Sequence, residues 1–161
     1  MKLLVVRHAE AVERAPAIAE EDRWLTPRGR ASFAASVRVI ARRRMPPDLI
    51  VTSPLVRAVQ TAELLAAGLD YDGELAVSRE LAPGFDREGL ARLLAGRPGA
   101  SHVAIVGHEP DVGRVVADLL GRPEAVPLRK GMAVALELDS GTGRARLRWV
   151  VHKGEKTRTL P

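Results

Sequence analysis

Two histidines and two arginines carry the reactive potential of this sequence, and each stands just beyond a short apolar run. Arg7-His8-Ala9-Glu10 follows Lys2 to Val6, Thr52-Ser53-Pro54 with Arg57 one helical turn on follows Asp48 to Val51, and Gly107-His108-Glu109-Pro110 follows His102 to Val106. An imidazole is a competent nucleophile, and a covalent intermediate on it divides a difficult transfer into two easier steps. Guanidinium groups present paired donors that match phosphate oxygens and stay charged at any relevant pH, so Arg7 and Arg57 suit a phosphoryl group better than a carbonyl. Their charge also disfavours imidazolium and keeps His8 neutral enough to attack. A lone histidine at a strand end is ordinarily a hydrogen-bonded structural residue. Four such groups at three strand ends make a phosphate pocket.

The elements that position them can be read from the pattern. The three apolar runs are continuous rather than alternating, as expected for strands covered on both faces. Thr26-Pro27 joins a capping hydroxyl to a proline suited to the first helical position, and Phe33, Ala34, Val37, Ile40 and Ala41 recur at helical spacing. Ser53-Pro54 repeats that start, and Glu109-Pro110 opens a further helix carrying Val112, Val115, Val116, Leu119 and Leu120. Both starts are expected to aim backbone amides at the pocket. A shorter helix is predicted from Asp86 to Ala95, ended by Gly96. Strands alternating with helices predict an α/β fold: a three-layer α/β/α sandwich around a mostly parallel sheet, whose ligands bind outside the carboxyl ends of the strands. After Gly131 a hairpin is predicted at one edge, Met132 to Leu138 and Arg144 to Val151 around a turn from Asp139 to Gly143. Its second strand sets Ala145, Leu147, Trp149 and Val151 against Arg144, Arg146 and Arg148. Those arginines serve either to protect a sheet edge or to dock a partner. Arg42-Arg43-Arg44 reads as a solvated helix terminus, where cations suit the dipole.

The chain has 161 residues, 46% of them hydrophobic and 28% charged, which predicts one domain over 1–161 with residues 154–161 as a loose tail. No apolar stretch approaches the roughly 18 residues of a membrane helix, and the protein is expected to be cytoplasmic and free of the membrane. The absence of cysteine excludes a disulfide framework, a thiolate zinc site and a cysteine nucleophile. Residues 1–120 hold 16 basic and 16 acidic side chains while residues 121–161 hold 9 and 4, so the net charge of +5 is C-terminal. Aromatics at 3% leave few stacking platforms, which argues against nucleic acid.

The chain resembles the histidine phosphatase superfamily (phosphoglycerate mutase-like), in its branch of small bacterial SixA-like phosphohistidine phosphatases, nearly end to end. The resemblance rests on Arg7-His8-Ala9-Glu10-Ala11, Asp22-Arg23-Trp24-Leu25-Thr26-Pro27-Arg28-Gly29, Ser53 to Ala62, and Val106-Gly107-His108-Glu109-Pro110. It implies His8 as the phosphorylated nucleophile, Arg7, Arg57 and His108 around the phosphoryl oxygens, and no metal or cofactor. Ala9 replaces the commoner glycine of the signature, a change often shown by the small phosphohistidine branch. Ala11 and Arg14 replace the serine and asparagine of the mutases, against a sugar-phosphate mutase. Ser32 and Phe33, where glutamine and alanine often follow the Leu-Thr motif, read as a packing change.

In larger relatives a glutamate after the third strand serves as the general acid, and Glu80 stands at the matching place. A raised pKa would suit it to protonate a leaving group. An ordinary salt bridge to Arg79 or Arg87 is its other reading, and Asp86 and Glu10 are substitutes. Larger relatives also insert a helical lid there, whereas only Arg79 to Phe85 follows a strand predicted at Leu75 to Ser78, so an unroofed pocket and no lid subdomain are expected. The expected substrate is therefore a phosphorylated protein, such as a histidine-phosphorylated signalling or phosphotransfer domain, met by a monomer. The rivals are a small-molecule phosphate ester phosphatase of the same superfamily, a metal hydrolase using His8, His108 and Glu10 or Asp111, and a phosphate-recognising module without turnover. His102, His152, Glu63 and Asp118 read as structural or solvated.

Overall fold

The computed structural model describes residues 1–43, 46–139 and 141–161, so Arg44 of the arginine run and Ser140 of the hairpin turn lie outside the described residues. The described residues form one sheet of β1 (Lys2–Arg7), β2 (Leu49–Thr52), β3 (Leu75–Val77), β4 (His102–Gly107), β5 (Ala133–Leu138), β6 (Ala145–His152) and β7 (Glu155–Thr157). Their order is β3-β2-β4-β1-β5-β6-β7, with the first four parallel and the remainder antiparallel. The helices are α1 (Pro27–Ala41), α2 (Val56–Gly68), α3 (Arg87–Ala95) and α4 (Asp111–Leu120). Leu3 and Val5 of β1 pack with Leu90 of α3 and Val112 and Val115 of α4, while Leu4 and Val6 pack with Phe33 and Val37 of α1 and Ala58 and Leu65 of α2. Both sheet faces are thus covered, which explains the continuous apolar strands and gives the three-layer sandwich.

Thr26 caps α1 by accepting from the Gly29 amide at 2.9 Å, and Asp86 caps α3 by accepting from the Gly89 amide at 2.8 Å. The Ser53-Pro54 start is corrected: α2 begins at Val56 with Leu55 at its N-cap, and Ser53 lies further back, at the end of β2. Likewise Pro110 stands at the N-cap of α4, which begins at Asp111. Among the described residues no helix is long and apolar enough to cross a membrane.

The edge hairpin departs from simple alternation. Ala135 pairs with Trp149 but Leu136 pairs with Leu147, so Arg148 is an extra residue, a β-bulge. The bulge switches faces along β6: Ala145 and Leu147 join the core under α3 and α4, whereas Trp149 and Val151 join the core under α1 and α2. A single cationic face is therefore not formed. Arg144 lies against Gly121 at the end of α4, while Arg146 and Arg148 share the Glu137 carboxylate at 2.8 and 3.0 Å. The segment after Gly154 is not simply a loose end, because Glu155–Thr157 pairs with Val150–His152 as a third antiparallel strand.

The site end of the sheet is fixed by backbone bonds that continue the ladder. The His8 amide donates to the Gly107 carbonyl at 3.1 Å and the Ser53 amide to the Val106 carbonyl at 3.0 Å. The ends of β1, β4 and β2 therefore lie side by side.

Candidate active site

His8 is the first residue beyond β1, and its carbonyl accepts from the Gly131 amide at 3.0 Å. Gly131 adopts φ +71°, the left-handed region that favours glycine. The His8 Nδ1 lies 2.7 Å from the Ala9 carbonyl oxygen. A carbonyl only accepts, so Nδ1 carries the proton and Nε2 keeps its lone pair. Burial first, then the neighbouring His108, Arg57 and Arg7, pull the His8 pKa down to about 3 against the opposing Ala9 hydrogen bond, so the ring is neutral at physiological pH. It remains 8% exposed, enough to meet a reactant.

His108, the first residue beyond β4, stands with its ring centroid 5.2 Å from that of His8. Its Nε2 pairs with the Ser53 Oγ at 2.7 Å, and its Nδ1 is buried without a partner. Burial, Arg57 and Arg7 pull its pKa down to about 4. Arg57, in the first turn of α2, is only 5% exposed and donates to the Glu20 carbonyl at 2.6 Å and to the Glu20 carboxylate at 3.0 Å. Arg7 donates from Nη1 to the Leu128 carbonyl at 2.7 Å, while its buried Nε has no partner. The four expected residues are thus brought together, with both imidazoles neutral at physiological pH. Such a set can bind an oxyanion and attack its central atom.

The three carboxylates considered as acids fare differently. Glu80 is held by Arg92 through two contacts of 3.2 and 2.9 Å, and that hydrogen bonding sets its pKa below the ordinary value, opposite to what a proton donor requires. Its partner is Arg92 on α3 rather than Arg79 or Arg87, because a helical turn brings that guanidinium across. Glu10 is likewise lowered, by the fork of Arg28 at 3.0 and 2.8 Å. Asp86 is spent on capping α3. Asp111 accepts from the Gly84 amide at 2.7 Å, and among the described residues no three His, Asp or Glu side chains converge to hold a metal ion.

Sequence reasoning passed over three contributors. Glu109 is half-buried, and burial outweighs the opposing Arg7 charge and the Leu128 and Gly113 amides to raise its pKa; one of its oxygens is buried and unpartnered. Its place after His108 was the only available signal. Glu20 collects Arg14 and Arg23 at 2.9 Å each besides Arg57, and its charge reaches His108. Thr61 accepts from the Ala9 amide at 3.0 Å and donates to the Arg57 carbonyl at 2.7 Å, tying the two arms of the site together. The short connection from β3 to α3 does lack a lid, but the pocket is not bare. Residues around Glu20 lie on Arg57 from the side of the β1 to α1 connection.

Comparison with known proteins bears on the family and the fold. The sequence model described as Histidine phosphatase superfamily (branch 1) matches residues 3–82. An uncharacterized protein of Picosynechococcus is 36% identical over 119 residues, spanning 70% of this chain and 69% of that one. A solved structure of the protein histidine phosphatase SixA complexed with tungstate superposes with a TM-score of 0.84 at 26% identity, covering 95% of this chain and 97% of the other. An alpha-ribazole phosphatase from Shigella flexneri shares the fold, with a TM-score of 0.70 at 19% identity over 100% and 98% of the two chains.

Proposed function

Since the chain belongs to the histidine phosphatase superfamily, we propose that it hydrolyses a phosphoryl group through a covalent intermediate on His8, and that its substrate is phosphohistidine carried on a protein. The observation that carries this reading is the His8 tautomer, with its proton fixed on Nδ1 by the Ala9 carbonyl and its Nε2 lone pair free among Arg7, Arg57 and His108. In the first step Nε2 forms the bond to phosphorus as the bond from phosphorus to the substrate nitrogen breaks, and the leaving imidazole takes up a proton. In the second, water attacks phosphorus, the bond to His8 breaks, inorganic phosphate leaves and one proton is released. Arg7 and Arg57 stabilise the charge on the equatorial oxygens throughout, a preorganised arrangement worth several kcal/mol per donor.

An imidazole leaving group needs less acid assistance than an alkoxide, which suits a site whose Glu80 and Glu10 are locked in arginine forks. Glu109, whose carboxyl pKa is raised by burial near Arg7, is the residue we assign as proton carrier. The short β3 to α3 connection leaves room for a side chain presented by a folded domain, and a cytoplasmic monomer acting without metal fits the same reading. Parallel assays on a phosphohistidine-carrying protein, free phosphohistidine and sugar phosphates test it. The highest kcat/KM is expected for the protein, with an acid-labile phosphoryl group trapped on His8. A higher value for a sugar phosphate would move the assignment to small-molecule esters, and trapping without release of phosphate would make the chain a binding module.

A further inference from the structure

A second basic recess adjoins the reactive imidazole without including it. Arg7 and Ala9, the two chain neighbours of His8, both line a cavity of about 600 Å³. Its other walls come from the first turns of α1, from Arg129-Lys130-Gly131 ahead of β5, and from His152-Lys153 at the β6 to β7 turn. Five cations face it, Arg7, Arg28, Arg129, Lys130 and Lys153, against the single carboxylate of Glu10, which Arg28 already occupies with both its donors. Among the described residues no carboxylate lies within salt-bridge distance of Arg129, Lys130 or Lys153. Those three side chains are exposed, and none of them belongs to the machinery around phosphorus.

We propose that this recess is the docking groove for an acidic segment of the protein substrate, seating aspartate or glutamate side chains that flank the phosphohistidine while the phosphorylated ring enters at His8. This deepens the reading of the chain as a protein phosphohistidine phosphatase and rests on it. Two properties favour a macromolecular surface over a second phosphate of a small metabolite. The cavity far exceeds one phosphate. Its unpaired cations are also exposed and long-stemmed, the kind that steer and hold an acidic surface, whereas the phosphoryl site uses the buried Arg57 and the partly buried Arg7, each fixed by a backbone carbonyl. Unpaired cations around a concave wall repel one another, and an acidic partner relieves that repulsion. His152 reports the same field: burial, Lys153 and Arg129 hold its pKa below the ordinary value.

The test uses two synthetic phosphohistidine peptides, one flanked by aspartates and glutamates and one by serines, together with free phosphohistidine. At low ionic strength the wild-type protein is expected to prefer the acidic peptide by about tenfold in kcat/KM, chiefly through KM, and to lose most of that preference at physiological salt. The variant R129E/K130E/K153E is expected to abolish or invert the preference while free phosphohistidine is turned over within about twofold of wild type. R146Q/R148Q, at the far end of β6, is expected to leave it unchanged. Equal turnover of both peptides by the wild type, or an equal loss on peptide and free phosphohistidine in the triple variant, overturns the docking groove alone. Failure to hydrolyse any phosphohistidine compound, with turnover of a sugar phosphate, overturns the groove and the proposed function together.

Discussion

Acidification should destabilise this protein through the two histidines of its site, and the size of the effect follows from their surroundings. His8 and His108 are buried neutral, with pKa values pulled down to about 3 and about 4. In the unfolded chain both return to about 6.5. Between those values the unfolded state binds more protons than the folded one, so stability falls as pH falls. The contribution is fully present above about pH 7 and is lost progressively below it, levelling off only under the folded pKa values. At pH 5 the unfolded state has gained about 1.5 pH units of protonation free energy per ring, or about 2 kcal/mol each and about 4 kcal/mol for the pair. The carboxylates held low by arginines, Glu10, Glu20, Glu80 and Glu137, contribute their own losses below pH 5, while His102 and His152, also held low, and Glu109, held high, act alike in wild type and in a variant lacking the two site rings, so the difference between the two proteins isolates His8 and His108. Urea denaturation of the wild-type protein and of H8N/H108N at pH 7, 6 and 5 measures this directly. The variant should show a dependence flatter by about 4 kcal/mol over the window. Parallel dependences, or a wild type that gains stability on acidification, would refute the claim that both rings are held neutral by burial and by the arginines.

On the proposed mechanism H8A should fold normally and lose phosphatase activity by at least about a thousandfold, as judged by phosphate release and circular dichroism, since it removes the proposed nucleophile. S53A removes the single partner of the His108 ring and leaves a buried nitrogen unsatisfied, a cost of about 1–3 kcal/mol; thermal unfolding should register it, and kcat should drop further than KM rises. G29A should destabilise α1 by about 1–3 kcal/mol in denaturant titrations, because its Cβ would overlap the Glu10 carbonyl oxygen. On the proposed mechanism turnover should survive exhaustive chelation, with Arg7 and Arg57 in place of a metal's positive charge, while vanadate should compete with substrate; loss in EDTA with recovery on adding a divalent ion would count against this.

The sequence by itself determined the layers of this fold and offered the candidate residues at the strand ends. Period and capping are local properties: a continuous Val and Leu run means burial on both faces whatever lies on top, and Thr26 or Asp86 caps a helix through bonds three residues long. His8, His108, Arg7 and Arg57 were legible for the same reason, each being set by a strand end or the first turn of a helix. Decisions made between distant segments were not legible. Arg148 reads as one more outward arginine until its pairing partner slips by a residue, since a bulge is a property of two strands and not of one. Glu80 could be an acid or an ion pair, and only the approach of Arg92 made it the latter. Glu109 acquires its raised pKa from burial, and Glu20 its place on Arg57 from a contact 37 residues away along the chain. Charge type is written in the sequence, but protonation depends on the dielectric and the neighbours, and these exist only once the chain has closed on itself.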